Sequence, residues 1–254
     1  IDILREKQAH PELYRPIPTG LDDLDKIISG VTEKMYMVIG GKHKSGKSSL
    51  ALHIGTALAA ANRGLTLYFS LEEIQEQMGQ RSLARLSQLT DRNMMRDLTL
   101  NEINFIDLEE QYNKLKNVGL LIEDSISKAG TIIEIAREMG ATFVVIDYMQ
   151  LLTDKVQNKE NETTRWDQIS RLFIVSRNKD KITYVVVFQI GKEGRAYGTS
   201  SVYRDGDLIV EIEQEYDKIT GDEIEGELAV HVRRSRVCKE GKCHVAFNGA
   251  HSRL

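Results

Sequence analysis

The chain has 254 residues, 41% of them hydrophobic and 28% charged, with a formal net charge of −4, a size and balance that suit one α/β domain or a domain with a small appendage. No run of eighteen apolar residues occurs and the opening IDILREKQAHPELYRP lacks a signal-peptide core, so a membrane span and secretion are disfavoured and a cytoplasmic protein is expected. The chain opens on Ile rather than Met, which leaves open whether an N-terminal module precedes it.

In chain order, RPIPTGLDDLDKIISG is a proline-stiffened entry followed by a short helix with acids early and Gly30 at its end. MYMVIG is a short buried strand. From Ser48 to Asn62 the residues Leu50, Ala51, Ile54, Ala57, Leu58 and Ala61 recur at helical spacing, and Gly64 supplies the stop. LTLYFS is the next strand, helical patterns follow at about 72–88 and 99–116, and GLLIED is a third strand. A helix near 130–139 leads into TFVVIDYMQLL, another strand. The uneven, polar segment 154–164 reads as a mobile loop, followed by a helix at about 165–178 and the strand ITYVVVFQI. A Gly-rich loop at 191–201 precedes strands at 207–215, 227–235 and 243–247. Apolar strands alternating with helices predict a mostly parallel sheet covered on both faces and finished by antiparallel C-terminal strands.

Charge is unevenly spread. From Asp205 to Glu227 nearly every charge is acidic, and from Arg233 to Lys242 most are basic, a pattern that fits a solvated surface or a subunit edge meeting its neighbour. Cys238 and Cys243, the only cysteines, fall on an expected hairpin and read as reduced thiols rather than a disulfide framework or a zinc site.

The chemistry concentrates where the first strand breaks. GKHKSGKS, Gly41 to Ser48, fits G-x-x-x-x-G-K-[ST] between a buried strand and an amphipathic helix, the context a phosphate-binding loop needs. Glycine lets successive N–H groups turn toward phosphate oxygens, and the helix N-terminus adds positive potential. Gly41, Lys42, His43, Lys44, Ser45, Gly46, Lys47, Ser48 and Ser49 are thus the expected nucleotide-binding residues, with Lys47 on the β- and γ-phosphates and Ser48 on magnesium. Asp147 ends the strand TFVVID, where an acid faces the ligand crevice of an α/β sheet and can hold magnesium through water.

Glu72 and Glu73 follow LTLYFS, where a carboxylate can polarise an attacking water; acids that favour a helix N-terminus would look the same. Gln189, ending TYVVVFQ, can sense a γ-phosphate or cap its strand. Arg234 and Arg236, two apart on an expected strand, suit either fingers inserted into a neighbour's site or a basic edge that discourages pairing. Trp166 fits an anchor for its helix better than a base-stacking platform. Lys192 and Arg195 in GKEGRAYGTSS, and Lys155 and Lys159 in the preceding polar loop, are candidate contacts to a nucleic-acid backbone, although solvated loops share that composition.

With these residues in view, the chain resembles the RecA-type ring ATPases, and within them the DnaB-type replicative helicase motor domain. PTGLDDLDKIISG, the phosphate loop, YFSLEEIQEQMGQR, VVIDYMQLL, DQISRL, DGDLI and VAFNG resemble DnaB blocks in the same order, from about Ile17 to the end. The resemblance implies a RecA-like core over residues 17–254, with 1–16 as a linker or arm. It implies an ATP hydrolase using ATP and Mg2+, acting as a homo-oligomeric, hexameric ring on single-stranded DNA, with primase or loader proteins as partners and no membrane. It matches Lys47 and Ser48 to the nucleotide loop, Glu72 to the catalytic glutamate, Asp147 to the magnesium-binding acid and Gln189 to the sensor glutamine. Arg234 and Arg236 match the pair that reaches into the adjacent subunit, with Arg at 234 where DnaB proteins usually carry Lys. QIGKEGRAYG instead resembles the lysine-glycine segment of RadA, a related recombination ATPase, although RadA's zinc-binding N-terminal segment is absent here. A KaiC-like or loader-like regulatory ATPase is the reading from another class.

Overall fold

A computed structural model describes residues 1–87, 102–154, 162–191, 200–216, 223–236, 238–248 and 254. Among the described residues, eight strands form one sheet: β1 (Tyr36–Gly41), β2 (Leu65–Ser70), β3 (Leu120–Glu123), β4 (Ala141–Asp147), β5 (Thr183–Gln189), β6 (Leu208–Tyr216), β7 (Glu223–Ser235) and β8 (Gly241–Ala246). Their order across the sheet is β3-β2-β4-β5-β1-β6-β7-β8. The pairs from β3 through to β6 are parallel, and β7 and β8 each join antiparallel to the strand before. The predicted architecture is the one observed.

Helices cover both faces. α3 (Asp22–Ile28) and α4 (Lys47–Ala60) pack on one side, and α7 (Ala129–Glu138) and α8 (Glu162–Asp180) on the other, after the N-terminal α1 (Asp2–Ala9) and α2 (Pro11–Tyr14). Alternation along each strand divides the core: Met37, Ile39, Val145, Val185 and Val187 face α4, whereas Val38, Val144, Ile146, Val186 and Phe188 face α7 and α8. Because both faces are buried, these strands read in sequence as unbroken apolar runs. Trp166 of α8 lies in this second core with its ring edge-on to Phe188, centroids 5.6 Å apart, so it anchors its helix.

Several boundaries differ from expectation for identifiable reasons. The helix placed at 72–88 is α5 (Gln75–Leu86). Before it, Leu71 N–H donates to Asp147 O at 2.7 Å and Ser70 Oγ donates to Glu73 O at 2.6 Å, which holds Leu71–Ile74 in a turn. The run TFVVIDYMQLL stops as a strand at Asp147 and continues as a 3₁₀ turn at Met149–Leu151. There Gln150 clamps the main chain of Gln189, donating from Nε2 to its carbonyl at 2.9 Å and accepting its N–H at 3.2 Å. α6 (Glu102–Lys116) matches the described part of the 99–116 pattern, α8 extends beyond 165–178 at both ends, and the short α9 (Ser200–Asp205) begins inside the expected Gly-rich loop. After α4, the left-handed residue nearest the helix end is Asn62 at φ 53°; Gly64, at φ 132°, makes a later close approach to Thr142.

The segment PTGLDDLD proves to be a local staple. Thr19 donates through both N–H and Oγ1 to Asp25 Oδ1 at 2.9 Å, Gly20 N–H donates to Asp25 Oδ2 at 3.1 Å, and Ile17 bridges Val31. Gly30 sits at φ 105° where a Cβ would meet Ile17 O at 2.4 Å, so only glycine fits the crossing.

The acidic and basic ribbons meet within the subunit. Arg233 pairs with Glu211 at 2.5 Å and Glu213 at 3.4 Å, and Lys242 and His244 pair with Glu215 across β6, β7 and β8. Cys238 and Cys243 are free thiols. No helix among the described residues is long and apolar enough to cross a membrane.

Candidate functional site

Parallel strands deliver their C-terminal ends to one edge of the sheet, and there a cleft of about 500 Å³ opens beside the β1–α4 loop. Its walls are the loop residues His43 to Ser49 together with Glu72, Glu73, Arg81, Tyr148, Gln189 and Phe247. Gly41 and Lys42 lead into the loop from β1. Lys44 at φ 59° and Gly46 at φ 91° turn the chain, and α4 then starts from Gly46, an N-cap with no side chain to engage the first-turn amides. Those amides and the helix potential are directed at whatever occupies the loop. Ser45 Oγ is buried with no hydrogen-bond partner among the described residues, and a Cβ on Gly41 would fall 2.4 Å from it, so the loop is a tight cradle with polar capacity to spare. These features fit a bound phosphate chain.

Lys47 is buried and its ammonium donates to Lys42 O, closing the loop on itself. Burial pulls its pKa below the ordinary lysine value, while the charges of Asp147 and Glu72 oppose that shift. Asp147, 3% exposed, accepts from Ser48 Oγ at 3.2 Å and from Tyr68 OH at 2.8 Å. Burial raises its carboxyl to about 6, against the pull of those two hydroxyls. A hydroxyl and a carboxylate brought together from α4 and β4 are hard oxygen donors of the kind magnesium takes, and they suit an ion that completes its shell with water and phosphate. Among the described residues no group of three or more His, Cys, Asp or Glu gathers as a self-sufficient metal site.

The two glutamates after β2 have different surroundings. Both line the cleft, but Glu73 is tied to Arg81 of α5 at 2.8 Å, whereas the charge of Glu72 is felt at Lys47 and Tyr148. Tyr68, Arg81, Tyr148 and Phe247 escaped the sequence reading. Tyr68 sits in an apolar run and gives no signal of its polar tip, and the Arg81–Glu73 pair joins two elements whose angle no local pattern reveals.

Arg234 and Arg236 are not in this cleft. Arg234 pairs with Ile209 near the start of β6, level with Val38 near the start of β1, whereas the phosphate loop leaves the far end of β1. At about 3.3 Å per residue, the stretch of β1 from Val38 to Gly41 puts about 10 Å between the level of Arg234 and the start of the loop. Arg234 Nη1 lies 3.4 Å from Tyr203 O and Arg236 Nη1 lies 3.1 Å from Asp207 Oδ1, so both engage the α9–β6 region. Lys155, Lys159, Lys192 and Arg195, and with the last two residues 192–198 of the RadA-like segment, lie outside the described residues.

A family model described as the DnaB-like helicase C terminal domain matches residues 16–254. The replicative DNA helicase DnaB of Leifsonia xyli is 26% identical over 94% of this chain and 55% of its own length, so the chain spans about half of that relative. Among solved structures, the ATPase domain of G40P aligns with a TM-score of 0.87 at 17% identity, covering 99% of this chain and 94% of that one. A DnaB-like replicative helicase, solved for its interactions with primase, aligns with a TM-score of 0.83 at 18% identity, covering 99% and 64%. The RecA-like α/β core expected from the sequence is the fold these likenesses share.

Proposed function

Because the chain belongs to the DnaB-like helicase C-terminal domain family, we propose that it is the ATP-hydrolysing motor of a DnaB-type replicative helicase, working as a homo-oligomeric ring on single-stranded DNA in the cytoplasm. The observation that carries this reading is the separation of the two halves of a phosphoryl-transfer site. The loop, Glu72 and Asp147 lie at one end of the sheet, and Arg234 and Arg236 at the other. A subunit built this way completes a site only by placing its arginine end against a neighbour's loop end, a heterologous contact that closes into a ring. Six subunits, with residues 17–254 as the motor and 1–16 as the connecting arm, is the form proposed. Ile17 is the first residue of the described core, and Ile1 and Leu4 before it are exposed.

The residues have positional roles. The loop amides and Lys47 hold phosphate charge, Glu72 aligns the attacking water while Arg81 keeps Glu73 engaged, and Gln189 reports on the γ-phosphate end of the cleft. Ser48 and Asp147 would hold magnesium, which when bound neutralises charge on the β- and γ-phosphates. Arg234 and Arg236 complete the neighbour's site. Lys155, Lys159, Lys192 and Arg195 follow strands that end at the cleft and are proposed to contact the DNA backbone. Primase, or a loader, is the proposed protein partner.

Mixing Arg236→Ala with Lys47→Ala subunits, each inactive alone, tests the shared site. Some mixed interfaces pair an intact loop with an intact finger, and a finger contributes roughly 10³–10⁵ in rate. Activity should therefore rise above both parents. Full activity of Arg236→Ala alone, or no rescue despite demonstrated subunit exchange, would remove the shared-site reading.

A further inference from the structure

The arginine end of the sheet contains a carboxylate that the mechanism above does not use. Asp207 stands between α9 and β6, and its main chain is tied on both sides: its N–H donates to Tyr36 O at 2.8 Å, and its carbonyl accepts the Arg236 N–H at 2.9 Å. The two carboxylate oxygens divide their work. Oδ2 accepts the Tyr36 N–H at 2.9 Å and pairs with Arg177 of α8, whereas Oδ1 meets Arg236 Nη1 at 3.1 Å. The side chains of Asp207 and Arg177 are 14% and 12% exposed, but that of Arg236 is 52% exposed. One oxygen is thus committed to the interior and the other to a cation at the surface.

We propose that Asp207 is the positioning residue of the Arg236 finger; this rests on the shared-site reading above. A guanidinium carries five N–H donors in a planar fork, so holding it by Nη1 leaves other donors for a phosphate. The second cation makes the arrangement usable. When Arg236 turns to a neighbour's nucleotide, Asp207 keeps Arg177 and the Tyr36 N–H, so no buried charge is left without a partner. Asp207 also joins the finger to the first residue of β1, the strand that ends at its own subunit's phosphate loop.

Asp207→Asn keeps the shape and one acceptor but removes the charge. The expected result is a fall in kcat of about 10–100-fold, the scale of a displaced reacting group, with KM for ATP within about twofold. The decisive readout is which partner rescues it. Mixed with Lys47→Ala subunits, Asp207→Asn should regain activity above both parents; mixed with Arg236→Ala it should not, because both variants damage the finger half. A staple that merely supports its own subunit's fold would give the reverse pattern or none, and either would overturn the proposal, as would an unchanged kcat. Asp207→Glu, which keeps the charge one methylene further out, should show a milder loss and the same pattern, and carries the test if thermal unfolding shows that the Asn variant does not fold. The Arg236→Ala and Lys47→Ala mixture is the control. If it is rescued and the Asp207 variants are not, the positioning role alone fails; if the control itself is not rescued, the shared site fails first.

Discussion

Replacing Asp147 by Asn should stabilise the metal-free, nucleotide-free protein at neutral pH. Asp147 is buried, and burial raises its carboxyl from the ordinary 3.8 to about 6. A raised folded pKa means that the native state binds the proton more tightly than the unfolded chain. Ionisation therefore costs stability: nothing below the unfolded pKa, growing as pH rises, and complete above about 6. A difference of about two units corresponds to about 3 kcal/mol at pH 7.5 and about half of that at pH 5. Asn carries no such cost. Its oxygen can accept from Tyr68 OH, and its amide can donate to Ser48 Oγ once that hydroxyl rotates. Urea unfolding at both pH values, in chelator, should give the variant a higher midpoint at pH 7.5 with an unchanged slope, and a gap reduced by about half at pH 5. A destabilised variant at pH 7.5, or a gap indifferent to pH, would refute burial as the cause of the shift. Hydrolysis by the variant should be lost throughout.

Glu72→Gln should bind ATP normally and stop turnover, while Glu73→Gln, which removes the charge that pairs with Arg81, should keep most of it; single-turnover kinetics that reverse the two would mean that the wrong acid of the pair is named. Gly30→Ala should lower unfolding free energy by about 1–3 kcal/mol, since alanine must take φ 105° against Ile17 O; an unchanged urea midpoint would contradict the close crossing of Gly30 and Ile17. Replacing Lys192 and Arg195 together by Ala should weaken single-stranded DNA binding and flatten its dependence on salt, as fewer counterions are released. Binding and slope both unchanged in a fluorescence titration would exclude that loop from the DNA path.

Legibility in the sequence followed the range of the interactions. The strands and α4 were readable because burial on both sheet faces writes itself as apolar runs and helical spacing, and the phosphate loop because its glycines and lysines interrupt such a run. Helix α9, six residues long, is too short for periodicity to register, and α1 and α2 are short and mostly exposed. Tyr68, Arg81 and Asp207 act through partners on other elements. Tyr36 and Asp207 are 171 residues apart, and only the β1–β6 pairing brings them into contact. The placement of Arg234 and Arg236 at the end of the sheet away from their own loop was likewise a matter of register, and the spacing of the two arginines says nothing about it.

If ATP hydrolysis by this motor moves single-stranded DNA, unwinding of a forked duplex must accompany ATPase activity measured in the same reactions. Strand separation should require ATP and magnesium, hydrolysis should rise on adding single-stranded DNA, and both should vanish in Lys47→Ala. Brisk hydrolysis that ignores DNA and separates no strands would rule out a DNA motor and leave a regulatory ATPase on the same fold.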